Sequence, residues 1–202
     1  PEQLTNCFAS GNETWQIPVG INEADLNPYV LEAFAGEHVL VSGPARSGKS
    51  TMLAAIHQML VQESPNTKIL VGAPRRSPLH QMLPGVMCPE QLVDVVETQS
   101  AAPEPCIVLI DDAHLVADDS QVLARVLALP DSPLLFIVAG RNNDLRTLYS
   151  HWTGQIRKSR LGVLLVPDAD YDGDLLDVRL PRHPAATVNK GTLKYSLTYR
   201  TI

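Results

Sequence analysis

The feature that most constrains the fold of this 202-residue chain is the segment GPARSGKS at residues 43–50. It matches the pattern G-x-x-x-x-G-K-[ST], in which a glycine-rich turn presents backbone N–H groups to phosphate oxygens. The mainly apolar run 38–42 precedes it and is short enough to be a buried parallel strand. The residues after it have apolar side chains spaced three or four apart, as on one face of a helix: Met52, Leu53, Ile56, Met59 and Leu60. Strand, turn and helix thus follow in the order that a phosphate-binding loop requires.

This loop predicts which residues contact a nucleotide, so ATP and Mg²⁺ are the predicted cofactors. The start of the helix adds unpaired donors and a partial positive charge. Lys49 is expected to reach the β- and γ-phosphates, and the Ser50 hydroxyl is expected to bind Mg²⁺. Thr51 is interpreted as the next helical residue, and Arg46 either touches a phosphate or is solvated. The predicted binding set is Gly43, Pro44, Ala45, Arg46, Ser47, Gly48, Lys49, Ser50 and Thr51.

A second apolar strand, CIVLI at residues 106–110, ends in the carboxylates Asp111 and Asp112. A buried strand that delivers a carboxylate to the metal is the Walker B arrangement. The alternative is an ordinary parallel strand followed by an acidic turn. Because a P-loop lies upstream at a suitable distance, we favour Walker B, with Ser50 and Asp111 as the metal-binding pair and Asp111 acting through water.

The residue after Asp111 bears on catalysis. Many ATPases carry Glu there, which polarises the attacking water, whereas Asp112 is one methylene shorter. A general base needs a hydrogen-bond reach of about 2.6–3.2 Å, and a misplacement of about 1 Å can cost on the order of a hundredfold in rate. Lys49, Asp111 and Asp112 are therefore the predicted catalytic residues, and the expected hydrolysis is slow.

Composition restricts the partners of the chain. A net charge of −6 disfavours extensive contact with a nucleic-acid backbone, which requires clustered Lys and Arg. Two basic clusters, one at 75–76 and one at 157–158 with Arg160, are interpreted as solvated or inter-subunit surface. No apolar run is long enough to cross a membrane. The three cysteines are widely spaced, so neither a zinc site nor a disulfide framework is indicated.

Alternating strand and helix patterns predict an α/β fold with a mostly parallel sheet and helices on both faces. We expect one domain over 1–202, with a core at about 15–181 and a tail of uncertain role at 182–202. Because the chain starts with Pro1, we expect it to be an excised domain of a larger protein. Predicted strands are 15–21, 38–42, 68–72, 106–110, 134–139 and 162–166, with a further candidate at 193–199. Predicted helices are 89–98, 120–129 with Ser120 as N-cap, 144–152, and a short helix or turn at 25–35.

One segment imitates a calcium site. Residues 168–173 follow the first half of an EF-hand loop, but Arg179 occupies the position that needs a bidentate Glu. An acidic, solvated loop is therefore the prediction.

Several motifs together resemble the FtsK/SpoIIIE-type ATPase domains of type VII (ESX) secretion, and the likeness is greatest to the last of the tandem ATPase domains of EccC proteins. The resemblance spans about residues 15–181. It implies a P-loop NTPase fold of the RecA/FtsK type. The segments that carry it are GPARSGKST at 43–51, LIDDAH at 109–114, AGR at 139–141, LYSHW at 148–152, IRKSR at 156–160 and YDGDLL at 171–176.

The resemblance implies a membrane-anchored, ring-forming motor with several ATPase domains, which exports WXG100-type proteins from the cytoplasmic side of the bacterial inner membrane. It implies that the last ATPase domain recognises a C-terminal signal on the exported protein. Such domains often look catalytically degenerate, in agreement with Asp112. Other ATPase domains and membrane components are the further implied partners, and Arg141, Arg157 and Arg160 are candidates for an arginine supplied to a neighbouring subunit.

Two alternatives remain open from the residues alone. A DNA-translocating motor of the same superfamily should carry a basic channel face, which an acidic chain disfavours. A small-molecule kinase would need an arginine-rich lid and an acceptor pocket; residues 142–160 contain the arginines but no recognisable acceptor motif.

Overall fold

The computed structural model describes residues 14–21, 27–129, 132–180 and 196–200, whose strands form a two-stranded and a six-stranded sheet. The smaller sheet is an antiparallel hairpin of β1 (Thr14–Ile21) and β2 (Pro28–Phe34). The strands of the main sheet are β3 (Val39–Gly43), β4 (Lys68–Gly72), β5 (Cys106–Ile110), β6 (Leu134–Arg141), β7 (Leu161–Leu165) and β8 (Ser196–Arg200).

The main sheet has the strand order β4-β5-β6-β3-β7-β8. Strands β3 to β7 run parallel, and β8 pairs antiparallel with β7. All five residues of β3, β5 and β7 are buried, because parallel strands covered on both faces are continuous apolar runs. The P-loop strand β3 therefore lies in the interior of the sheet, flanked by β6 and β7.

Helices cover both faces of this sheet, as the sequence predicts: α1 (Lys49–Glu63), α2 (Leu79–Met82), α3 (Pro89–Ser100), α4 (Val122–Leu127), α5 (Asn142–Thr147) and α6 (Thr153–Lys158). One hydrophobic core joins α1, α2 and the β1–β2 hairpin to one face. A second core joins α3, α4, α5 and α6 to the other face. The predicted α/β class and P-loop NTPase fold are confirmed. No helix in the described ranges combines the length and apolar character that crossing a bilayer demands.

The short helix or turn predicted at 25–35 is wrong, because residues 28–34 form strand β2. Leu31 and Ala33 alternate inward to the core that includes α1, and Leu31 pairs with Ile17 of β1. An alternation of two residues is too short to distinguish from helical spacing without the partner strand. Residues 25 and 26 lie outside the described part of the chain.

The helix predicted at 144–152 is wrong in its second half: α5 ends at Thr147, residues 148–152 are not helical, and α6 begins at Thr153. Trp152 is buried and its Nε1 donates to the carbonyl of Val116 at 2.8 Å. His151 Nε2 lies 3.0 Å from the same carbonyl. The chain leaves the helix here because these two rings must face a turn that is distant in sequence.

The predicted N-cap of the helix at 120–129 is also wrong. The Asp118 carboxylate accepts the backbone N–H groups of Leu123 at 3.1 Å and Ala124 at 2.8 Å. Gln121, in a left-handed conformation, precedes the first helical residue. Asp118 thus accepts the hydrogen bonds of the free N–H groups in the first turn of α4, a role that the sequence had suggested for Ser120. The candidate strand at 193–199 is realised as β8 over 196–200, and residues 193–195 lie outside the described ranges.

Candidate nucleotide-binding site

The predicted site residues lie at the carboxyl edge of the parallel sheet, where ligands of open α/β sheets bind. Strand β3 delivers the P-loop to this edge, and β5 delivers Asp111 and Asp112. Strand β6 lies between them and ends at Arg141, which is in register with Gly43. The loop after β4 arrives at the same edge, because Gly72 pairs with Ile110.

The P-loop needs glycine at both glycine positions of its motif, Gly43 and Gly48, for separate reasons. A Cβ at Gly43 would lie 2.5 Å from Ser47 Oγ and 2.7 Å from the carbonyl of Leu165, closer than real contacts allow. Gly48 has φ +100°, a left-handed conformation that L side chains rarely adopt. Met52 N then donates to Gly48 O at 2.9 Å and starts α1.

The start of α1 suits an anion. This 15-residue helix has no side-chain cap among the described residues, so its first N–H groups and the positive end of its dipole remain available to a ligand. The Ser47 hydroxyl within the loop is buried and also has no hydrogen-bond partner among the described residues.

Lys49 is buried and folds over the loop that it follows. Its Nζ donates to Pro44 O at 2.7 Å and to Gly43 O at 3.1 Å. A cation held against two loop carbonyls lies where phosphate oxygens are expected. Arg46 is exposed with φ 60°, and Thr51 is an exposed residue of α1. Thr51 as the next helical residue thus agrees with its interpretation from sequence.

The metal-binding pair predicted from sequence is in direct contact. Ser50 Oγ donates to Asp111 Oδ2 at 2.7 Å, and Asp111 is fully buried. A second hydroxyl, Ser77 Oγ, donates to the same Oδ2 at 2.6 Å. Asp111 Oδ1 is buried with no hydrogen-bond partner among the described residues. Such orphaned carboxylate oxygens usually meet water or an ion, and hard oxygen donors are those that Mg²⁺ prefers, so these residues fit the metal.

Asp112 lies beside this pair in a left-handed conformation, with φ 45° and ψ 45°, which Asp tolerates better than most residues. It is partly buried. Burial raises the pKa of Asp112, and the adjacent Asp111 carboxylate raises it further, against the opposing influence of His114 and Arg141. The carboxylate expected to orient water is therefore in an environment that favours its protonated form more than water does.

His114 was recognised only as part of a motif, and the structure gives it a defined environment. Its Nε2 lies 3.1 Å from Asp144 Oδ2 on α5, and its side chain is almost fully buried. Burial lowers the pKa of His114, and this effect exceeds the opposing influence of Asp144 and Asp112. No spacing in the sequence indicates the contact, because His114 and Asp144 lie in segments that follow two different strands, β5 and β6, at the same sheet edge.

The three candidate arginines separate into two groups. Arg141 is exposed at the end of β6 and acts electrostatically on Asp112 and His114, so it belongs to the site. Arg160 instead forms an ion pair with Asp177 at 2.7 Å. Arg157 lies 3.5 Å from the carbonyl of Asp174. The structure therefore brings Arg141, and not the other two, to the predicted phosphate edge within this chain.

The acidic segment predicted as solvated contains a buried carboxylate. Asp172 Oδ2 accepts Asn142 Nδ2 at 2.5 Å and the backbone N–H of Asp168 at 2.7 Å. Its other oxygen pairs with the Arg146 guanidinium. Asn142 in turn accepts the hydroxyl of Ser42, the residue before the P-loop. Asp172 therefore points inward, toward the sheet edge. Within the described ranges, no cluster of three or more His, Cys, Asp or Glu side chains could hold a metal ion.

Comparisons with known proteins agree with this geometry. No family model matches the chain. Over 71 residues, 35% of this chain, it is 35% identical to the ESX-1 secretion system protein EccCb1 of Mycobacterium tuberculosis, of which the match covers 12%. This sequence match confirms the resemblance to EccC-type proteins of type VII secretion.

Two solved structures share the fold. The cytoplasmic domain of the Thermomonospora curvata type VII secretion ATPase EccC aligns with a TM-score of 0.64 and 19% identity, covering 92% of this chain and 25% of that one. ATPases 2 and 3 of the same EccC, in complex with a signal sequence peptide, align with a TM-score of 0.59 and 21% identity, covering 77% of this chain and 34% of that one. The chain thus has the fold of an EccC ATPase domain and spans a minor part of the proteins it matches.

Proposed function

We propose that this chain is an ATP-binding domain of a type VII secretion ATPase, and that it binds ATP·Mg²⁺ at the carboxyl edge of the main sheet. The observation that carries the proposal is the Ser50–Asp111 pair. Among the described residues, Asp111 Oδ1 is buried without a hydrogen-bond partner, and no side chain caps the start of α1. The resemblance to EccC supports the choice of motor family.

Each predicted residue has a role in this proposal. The backbone of Gly43, Pro44, Ala45, Arg46, Ser47 and Gly48, together with the start of α1, binds the phosphates. Lys49 exchanges its loop carbonyls for the β- and γ-phosphates, a charge-assisted contact that is stronger than the one it leaves. Ser50 and Asp111 hold Mg²⁺, which neutralises charge on the phosphates when it is bound.

Hydrolysis by this domain is proposed to be slow. Asp112 is the group available to orient the attacking water, and it has the shorter side chain and a raised pKa. An arginine supplied by a neighbouring subunit can contribute about 10³–10⁵ in rate to such a reaction. The candidates of this chain for that contact are Arg141, Arg157 and Arg160, of which Arg141 also lies at the site edge of its own chain.

The proposed partner is an exported WXG100-type protein, recognised through its C-terminal signal at the cytoplasmic side of the inner membrane, with the other ATPase domains and membrane components of the complex. One structural relative contains a signal sequence peptide. The net charge of −6 makes a phosphate backbone an unfavourable alternative. An amphipathic peptide held by apolar contacts would tolerate salt, because apolar burial is not screened.

Calorimetry of ATP·Mg²⁺ binding to Lys49→Ala tests the nucleotide site. Loss of a charge-assisted phosphate contact costs about 1.5–3 kcal/mol, which is roughly one to two decades of affinity. Lys68→Ala is the matched control, because Lys68 starts β4 at the opposite edge of the sheet and bonds Gln99. Equal ATP affinity in wild type and Lys49→Ala would contradict the assignment.

A second titration tests the partner. The domain is mixed with the C-terminal peptide of a WXG100-type protein, or with duplex DNA, at 50 and 200 mM salt. We expect peptide binding that changes little between the two salt concentrations. DNA binding that falls by about 10³–10⁵ over this range, with no binding of peptide, would favour the DNA motor instead.

A further inference from the structure

We propose that Ser77 is a positioning residue for Mg²⁺-dependent nucleotide binding: it holds the Asp111 carboxylate in place whether or not the metal is bound. The inference rests on the proposed nucleotide site and adds a residue that belongs to neither sequence motif. Ser77 follows β4 by five residues, is 5% exposed, and donates its hydroxyl hydrogen to Asp111 Oδ2 at 2.6 Å.

The hydrogen bonds of Asp111 are divided unevenly between its two oxygens. Oδ2 accepts two hydroxyls, from Ser50 and Ser77, whereas Oδ1 is buried and accepts none among the described residues. Each hydroxyl has a single hydrogen to donate, so both are committed to Oδ2. This arrangement fixes the orientation of the carboxylate and leaves the second oxygen for a ligand.

The two hydroxyls differ in what else they do. Ser50 is the predicted metal ligand, so the position of its oxygen depends on the metal. Ser77 is held by the protein: its backbone N–H donates to Pro74 O at 2.8 Å, and its Oγ accepts the backbone N–H of Leu79 at 3.1 Å. Ser77 therefore supplies the contact to Asp111 that does not depend on Mg²⁺.

The segment that carries Ser77 is closed at its base and anchored in the core. Met87 N donates to Val71 O at 2.9 Å, and Ala73 N donates to Met87 O at 3.0 Å, so residues 74–86 form an excursion from the end of β4. Leu79 and Leu83 of this excursion are buried in the same core as α1. Two prolines near Ser77, at positions 74 and 78, further restrict the backbone φ angles of this segment.

If Ser77 positions Asp111, its removal should reduce the gain in nucleotide affinity that Mg²⁺ provides, called here the metal effect. Groups that orient a metal ligand from outside the coordination sphere typically affect metal affinity by about 10- to 100-fold when removed. We expect Ser77→Ala to weaken binding of a fluorescent ATP analogue by about tenfold or more in the presence of Mg²⁺. We expect its affinity in EDTA to equal that of wild type, because Ser77 donates its hydroxyl hydrogen to Asp111, whereas the phosphates are proposed to be bound by the P-loop backbone and Lys49.

The experiment measures the Kd of the analogue with Mg²⁺ and with EDTA for wild type, Ser77→Ala, Ser77→Thr and the control Ser132→Ala. Ser132 is also a buried serine whose Oγ accepts a backbone N–H, from Leu134 at 3.3 Å, but it lies before β6 at the other edge of the sheet. Thr keeps the hydroxyl, so Ser77→Thr should retain the metal effect. Ser77→Cys, with a weaker donor of similar shape, replaces Ser77→Ala if that variant does not fold.

A loss of the Mg²⁺ effect in Ser77→Ala or Ser77→Cys, with rescue by Ser77→Thr and a normal Ser132→Ala, supports the positioning role. An unchanged ratio of the two Kd values, or equal losses with Mg²⁺ and with EDTA, overturns it and leaves the nucleotide site intact. Wild-type protein that shows no binding of the analogue under either condition overturns the proposed function itself, and the inference with it.

Discussion

Acid is expected to destabilise this domain through His38, the residue before the P-loop strand. His38 is 1% exposed, its ring meets Phe136 edge-on at a centroid distance of 5.3 Å, and its Nδ1 accepts the backbone N–H of Phe136 at 3.4 Å. Burial lowers the pKa of His38 from 6.5 to about 4, against an opposing backbone contact with Leu127. The folded protein therefore holds this imidazole neutral at pH values where a solvated one is charged.

The sign of the effect follows from which state binds the proton. Between about pH 6.5 and pH 4 the unfolded chain takes up a proton at His38 and the folded chain does not, so acid favours unfolding. The contribution to stability is complete above pH 6.5 and is lost as the pH falls toward 4. Integration of the linkage relation gives a loss of about 2 kcal/mol at pH 5 and about 3 kcal/mol at pH 4. This is a large share of the 5–15 kcal/mol that typically stabilises a domain.

Urea unfolding of wild type and His38→Asn at pH 7.5, 6.0 and 5.0 measures this loss. Asn does not titrate, and its side-chain oxygen can replace Nδ1 as acceptor for Phe136. Burial also lowers the pKa values of His57, His114 and His151, so both proteins should lose stability in acid. The informative quantity is the free energy of unfolding that wild type loses between pH 7.5 and pH 5.0, minus the loss in His38→Asn. This difference should be about 2 kcal/mol. Parallel pH profiles for the two proteins would refute the argument.

Three further predictions concern the site. Asp172→Asn should lower the free energy of unfolding in urea by about 3–5 kcal/mol, because it removes the buried charge that pairs with the Arg146 guanidinium and replaces one acceptor oxygen with an NH2 donor. The exposed control Asp174→Asn should cost less than about 1 kcal/mol. Gly43→Ala should abolish ATP binding in calorimetry, since its Cβ meets atoms at 2.5 and 2.7 Å, and Gly154→Ala, with open space, should not. Phosphate release by the isolated domain should be well below roughly 10 s⁻¹ and should fall further in Asp112→Ala. Fast turnover by the wild-type domain would contradict the proposal of slow hydrolysis.

The strands of the main sheet were the most predictable part of the fold. The bounds predicted for β4 and β5 are those observed, because each strand contains a continuous apolar run, ILV in β4 and CIVLI in β5. Strand β2 was missed because one of its faces is exposed and its identity depends on pairing with β1. Trp152 broke a predicted helix for a similar reason, since its partner Val116 is distant in sequence.

The candidate site divides in the same way. The P-loop and Asp111 could be predicted as site residues from the sequence, because each belongs to a contiguous motif that follows a buried strand. Ser77 and Asn142 could not be identified from the sequence, because each contributes a single side chain from a segment that follows a different strand. Their relevance depends on strand order, and the order β4-β5-β6-β3 cannot be deduced from spacing.

The strand order also explains why the phosphate edge is supported from two directions. On one side of the P-loop strand, the hydroxyl of Ser77, in the segment after β4, donates to the carboxylate of Asp111, which follows β5. On the β7 side, Asn142, which follows β6, accepts a hydrogen bond from the Ser42 hydroxyl. Its amide nitrogen donates to the buried carboxylate of Asp172, which follows β7. The two sets share no residue, so Ser42 before the P-loop and the Asp111 carboxylate are held by separate hydrogen-bond networks. A change that loosens one should leave the other intact, and for this reason metal dependence and fold stability are expected to respond to different substitutions at the same sheet edge.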